Sequence, residues 1–265
     1  MNRRLTVILV LAAACGCTEP EPTGRMVPTI KRELPPRVVL KDRVVLNFDV
    51  VTIKRASYHK LEQLKSYMET AGVYGPDETL LARNGLLVGR TDMRFQKRFQ
   101  ETVTSMHSNP KQVAILRMNA GGREQNFDVG DTISNETLFI WTDHAEVTGR
   151  HFRRARYRMV MRLEQVKDGV AELATSWQVR TGPTLSRSVT IASLDMHAEL
   201  ARGQSLVIAP VGFRGRGVGR AFLSGVDEKA VEITFFVITP TEIHQKTLQP
   251  ELMDTAATTI SSHDG

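Results

Sequence analysis

Apolar residues recur with two different periods between Arg43 and Met118. The stretch 43–54, RVVLNFDVVTIK, is rich in β-branched and aromatic side chains and predicts a strand. Tyr58, Leu61, Leu64 and Met68 then fall at three-to-four spacing, the mark of one helical face, with Ser57 placed to cap that helix. Pro76-Asp77-Glu78 opens a short helix that Asn84-Gly85 ends. Leu86 to Gly89 predicts a short strand. Asp92 starts another helix, whose Phe95, Phe99, Val103 and Met106 share a face, and 112–118 returns to strand. The order strand-helix-strand-helix-strand predicts a small α/β unit over 37–118.

From Gly121 onward the helical period is gone. NFDVG, LFIW and RYRMVMRLEQV predict strands, and Asp168-Gly169 is a tight-turn pair. Tyr157, Met159, Met161 and Leu163 alternate with Arg158, Arg162 and Glu164 before that turn. Leu173, Trp177 and Val179 alternate with Glu172, Gln178 and Arg180 after it, so the hairpin has one buried and one wet face. EITFFVI, 232–238, is apolar on both faces and belongs in the middle of a sheet. The expected fold class is therefore α+β: the small unit, followed by an antiparallel β-sandwich-like module over 119–245.

The chain's ends change the picture from fold to compartment. Residues 1–4 are short and basic and 5–14 are an unbroken apolar run, a secretory signal over 1–16 that is too short for a spanning helix. The only two cysteines, Cys15 and Cys17, stand at its end. One reading is a simple signal peptide with incidental thiols. The other is its resemblance to the bacterial lipobox, which fits at Cys17 and also at Cys15 and implies an acylated N-terminus that holds the protein at a membrane through lipid. Neither cysteine is followed by aspartate, which by the same resemblance implies the periplasmic face of the outer membrane. Residues 17–36 carry five prolines and predict a tether, and 246–265 lack apolar periodicity and predict a disordered tail.

Of the formal net charge of +6, two come from Arg3 and Arg4 in the signal. The remainder is compatible with contact to anionic lipid or glycan, whereas nucleic-acid binding would call for a clustered basic stripe and a reading motif.

VGFRGRGVGR, 211–220, is the most conspicuous local motif. Phosphate-binding glycine loops lead from a strand into a helix N-terminus. Here the next regular element is expected to be a strand, the glycine spacing misses the dinucleotide pattern, and no Lys-Ser or Lys-Thr follows. A flexible connection is expected instead, with Gly212, Gly215, Gly217 and Gly219 supplying backbone freedom. Arg214, Arg216 and Arg220 would then be exposed, either as an interaction surface or as plain solvated side chains.

LARGQSLVIAP, GVGRAFL and EITFFVITPTEI together resemble the C-terminal pattern of bacterial secretins, the ring proteins of type II and type III secretion and type IV pili. Gly203-Gln204, Gly219-Arg220-Ala221-Phe222 and Ile238-Thr239-Pro240 occupy the corresponding places, and MVMRLEQVKDGVAELATSWQV is similar to the preceding secretin hairpin. The likeness spans about 155–243. The chain has one candidate ring-building unit, at 43–118, and 182–193 is too short for a secretin barrel hairpin. The resemblance thus implies a truncated secretin-like module rather than a channel. The layout, with LLARNGLLVGR, also resembles planctomycete-type envelope lipoproteins.

Catalytic motifs do not stand out. The seven histidines (59, 107, 144, 151, 197, 244 and 263) are scattered, no HExxH or GxSxG occurs, and Asp143-His144 with His151 is the nearest approach to a ligand set. Glu164 and Glu172 are expected to face each other across the hairpin. No enzyme, cofactor, metal or nucleotide is expected. Two function classes remain: a lipid-anchored envelope scaffold acting through an envelope protein partner or as a homo-oligomer, and an envelope ligand-binding or hydrolytic protein acting on glycan or lipid.

Overall fold

A computed structural model describes residues 41–54, 57–106, 113–142, 146–211, 217–223 and 232–246. All belong to one compact unit, Leu40–Gly265. Cys15, Cys17, the tether and the tail beyond Lys246 lie outside the described residues.

The described chain is mostly antiparallel strand with few helices. One sheet contains β1 (Arg43–Lys54), β2 (Met68–Glu69), β4 (Leu86–Thr91), β5 (Val113–Asn119), β11 (Leu206–Pro210) and β12 (Glu232–His244), in the order β2-β4-β11-β12-β1-β5. The other contains β3 (Val73–Tyr74), β6 (Gln125–Trp141), β7 (Val147–Lys167), β8 (Val170–Thr181) and β10 (Met196–Ala201), in the order β3-β10-β8-β7-β6, and β9 (Arg187–Thr190) pairs with β8. The α-helices among the described residues are α1 (Tyr58–Lys65), α2 (Glu78–Arg83), α3 (Gln96–Met106) and α4 (Val218–Leu223).

The boundary drawn at 118/119 does not separate two modules. β1 pairs along its whole length with β12, about 190 residues later, and β3 joins the second sheet through β10. The α/β unit and the β-rich part are interleaved, because strand partners are chosen by matching apolar faces rather than by nearness in sequence.

That matching is visible in the cores. β12 contributes Phe236 and Ile238 to one cluster and Ile233, Phe235 and Val237 to another, as expected of a central strand apolar on both faces. The larger cluster draws on both sheets: Leu46, Phe48 and Ile208 of the first with Met159, Met161, Leu173 and Trp177 of the second. The smaller one sits on the opposite face of the first sheet, beneath Leu61 and Leu64 of α1 and Phe99, Val103 and Met106 of α3. Burying Phe99 and Phe235 fully stabilises the fold by about 1.5–3 kcal/mol per side chain before ordering costs.

Local signals behave unevenly. Asp77 caps α2 by accepting from the Leu80 amide, and Asn84-Gly85 ends it with Gly85 at φ 76°. Ser57 makes no side-chain cap bond, and Met68 leaves the helical stripe to join β2. Asp92 caps a 3-10 turn that runs into α3. Asp168 and Gly169, at φ 51° and 76°, form the tight turn between β7 and β8.

Candidate functional site

The glycine-rich segment is built differently from expectation. After Gly217 the chain forms α4, not a strand. Residues 212–216, which include Gly212, Arg214, Gly215 and Arg216, lie outside the described residues, but both flanks of the segment are placed. The Val211 amide donates to the Gly85 carbonyl at 2.9 Å, and the Gly219 amide donates to the Asn84 carbonyl at 2.7 Å. Start and finish are thus clasped to one turn. A Cβ on Gly219 would overlap the Gly85 oxygen and one on Gly217 would stand 2.8 Å from the Asn84 oxygen, so both glycines serve close backbone approach. The Gly219 amide in the first turn of α4 is already given to Asn84, and the helix has only six residues.

The same turn holds β6. The fully buried Asn84 side chain donates to the Trp141 carbonyl and accepts from the Trp141 amide, both at 3.0 Å. Phe222 of α4 then packs on Tyr157 at 4.3 Å and edge-on to Trp177 at 4.8 Å, closing one end of the shared core. Arg220 is half-buried on α4 rather than exposed in a loop. It acts on Glu136, which accepts a short hydrogen bond from the Tyr157 hydroxyl. Burial pushes the Glu136 carboxyl up, more than the Tyr157 bond and the Arg220 charge pull it down.

The second sheet turns its other face away from the core, and charge gathers there. On β7 the outward positions are Arg154, Arg156, Arg158, Val160 and Arg162, alternating with the buried Ala155, Tyr157, Met159 and Met161. Arg180 on β8 stands directly across from Arg156. Asp128 on β6 stands across from Arg158 and accepts from its Nε at 2.8 Å. Arg156 Nε lies 3.5 Å from the same carboxylate without hydrogen-bond alignment, and Arg180 Nη1 lies 4.0 Å away. One carboxylate therefore serves three guanidiniums. Burial raises the Asp128 carboxyl, but the Arg158 bond and the charges of Arg158, Arg156 and Arg180 outweigh it and hold the group below the ordinary aspartate range.

The far end of this face is mixed in sign. Glu124, Arg162, Thr175, Ser176, Asp195 and His197 line a cavity of about 130 Å³. Arg162 Nε donates to Glu164 at 2.5 Å, and His197 Nδ1 lies 3.4 Å from Glu172. Burial raises the Asp195 carboxyl against the pull of Arg162 and His197. Glu164 and Glu172 do not face each other: a bulge at Leu163/Gln165 sets Glu172 opposite Gln165, which donates to it at 2.6 Å. Among the described residues no group of three or more His, Cys, Asp and Glu converges as a metal site. Asp143 and His144 lie outside them, and His151 on β7 contacts Thr137 at 3.1 Å.

Compared with known proteins, the chain matches no family, no curated protein and no solved structure. The site therefore stands on its own residues.

The sequence singles out the arginines of the glycine loop as candidates and marks Arg158 and Arg162 of β7 only as wet-face positions. Their signal was present: RHFRRARYR, 150–158, holds five arginines in nine residues. What no local pattern shows is that Arg180 and Asp128, on two flanking strands, meet that run on one face.

Proposed function

We propose that the chain is a lipid-anchored docking protein of the cell envelope, held at the periplasmic face of the outer membrane, whose β body is a truncated secretin-like module with its sheets arranged as a sandwich. It acts by gripping an anionic partner with the outward face of the second sheet. The observation that carries this is the single Asp128 carboxylate shared by Arg156, Arg158 and Arg180. Like charges directly across a strand pair destabilise it, and Arg156 opposite Arg180 is such a pair. The three arginine side chains are only 21–39% exposed, so their mutual repulsion is less screened than in open water. An arrangement that costs free energy alone and is relieved by an added anion is suited to binding one. β11 and β12 do pair on either side of the glycine segment, as the secretin resemblance implies, which supports the module but is a pairing any β fold can make.

Heparin, as a generic polyanion, tests the docking reading. Both cores close within 41–246, so the chain from Thr18 onward carries every described strand. It should bind heparin with an affinity that falls steeply with salt, and Arg156→Ser/Arg180→Ser should abolish most of that binding. Salt-insensitive binding, or none, contradicts the reading.

A further inference from the structure

We infer that the basic end of this face binds the phosphate groups of an anionic phospholipid surface. The inference rests on the docking reading above and commits it to one ligand. Arg154, Arg156 and Arg158 stand at alternate positions of one strand, so their stems are spaced about 6.6 Å apart, and Arg180 adds a fourth charge across the ladder. The result is a row on the face of a sheet, not a cleft. Arg158 meets Asp128 through Nε, and its two terminal nitrogens bond no other described residue. Those are the planar donors that match phosphate oxygens two at a time.

The face lacks what a protein partner would ask for. Protein interfaces centre on apolar or aromatic anchors in desolvated pockets. The large apolar side chains exposed among the described residues are Tyr74, Met93, Ile115, Val147 and Val211, of which only Val147 is on β7, seven residues before Arg154. Tyr157 and Met159 point into the core, and Val160, outward, is only 4% exposed. Charge without an apolar anchor suits headgroups, which are met from outside the hydrocarbon. A basic patch is also the second signal that makes lipid anchoring firm, and the Cys15/Cys17 lipobox resemblance supplies the first.

The test is sedimentation of the chain from Thr18 onward with vesicles of phosphatidylcholine alone or mixed with phosphatidylglycerol. Binding is expected only to the mixed vesicles, weakening with salt, and each of Arg156→Gln, Arg158→Gln and Arg180→Gln should lower partitioning about fivefold. Arg94→Gln, far out in solvent on the α3 turn, should leave it unchanged. Arg180→Gln keeps the test open if another variant fails to fold, since Arg180 makes the longest of the three contacts and its melting temperature should not fall. Heparin binding without phosphatidylglycerol binding overturns the lipid inference and leaves the docking reading standing, with an anionic glycan or acidic protein as partner. Loss of both overturns both. Partitioning that depends on Arg214 and Arg216 but not on Arg156 and Arg180 also overturns the inference, by moving the contact to the glycine segment.

Discussion

The first sheet turns Val51, Val207, Phe235 and Val237 away from the shared core and covers them with α1 and α3; the second turns Arg154, Arg156, Arg158 and Arg180 away, with Arg154 exposed and the other three partly so. Both are outward faces of antiparallel sheets with the same period-two alternation. They differ in whether the described residues supply a cover. Where they do, the residues are apolar, tightly packed and explained by stability alone. Where they do not, the residues carry charge of one sign in excess, which Asp128 offsets only in part. The difference separates the part of the molecule that holds it together from the part to which we assign docking.

The largest effect should come from the covered face. Phe235→Ala, at a fully buried position beneath two helices, is expected to cost about 3–5 kcal/mol in urea unfolding. A loss near that of an exposed position would mean that the helices do not cover the sheet as described.

Next in size is the clasp that joins the two faces' supports. Gly219→Ala sets a methyl against the Gly85 oxygen and should cost about 2 kcal/mol, with the Phe222 contact to Trp177 loosened and Trp177 fluorescence altered. An unchanged spectrum and melting temperature would show the clasp to be dispensable.

Smaller effects distinguish the two carboxylates. Asp128 has a lowered folded-state pKa, so its contribution is present above the unfolded aspartate value and fades as pH falls through the folded value. Asp128→Asn should therefore be destabilising at neutral pH, by less than about 1 kcal/mol given solvent screening, and the gap to the parent should close in acid. Glu136 has the opposite sign. Its raised pKa means that the fold prefers it protonated, so a cost appears as pH rises past the unfolded glutamate value and is complete above the folded one. Glu136→Gln should be slightly stabilising at neutral pH and neutral below about pH 4. Melting curves of the two variants should lie on opposite sides of the parent at neutral pH and converge on it in acid, and parallel curves would contradict both assignments.

The smallest change should be that of Arg180→Gln on the uncovered face. Removing one member of the Arg156/Arg180 pair relieves a like-charge contact, so the melting temperature should hold or rise while anion binding weakens. A fall would make Arg180 a structural residue.

Much of this architecture was legible from short-range pattern. β1 and the turn at Asp168-Gly169 were written in their own residues, as was the buried row Tyr157, Met159, Met161 and Leu163. The interleaving was not, because β1 meets β12 through contacts such as Thr52 with Thr234, 182 positions apart, and nothing near either residue records the partner. α4 was hidden by its length: six residues after a glycine run hold no helical period, and tertiary packing of Val218, Phe222 and Leu223 decides its form. The site was half legible. Five arginines between 150 and 158 are plain in the sequence, but they become a site only where β6 brings Asp128 and β8 brings Arg180 to the same face.

The most direct measurement is of the arginine Nε–H resonances in a nitrogen-15 NMR titration of the chain from Thr18 onward with short-chain phosphatidylglycerol below its micellar concentration. The account predicts that Arg156, Arg158 and Arg180 shift together and saturate at one concentration, while Arg90, held by Glu69 and the Glu199 carbonyl, stays in place. Shifts confined to Arg214 and Arg216, with the three β-face arginines unmoved, would contradict it and return the interaction to the glycine segment.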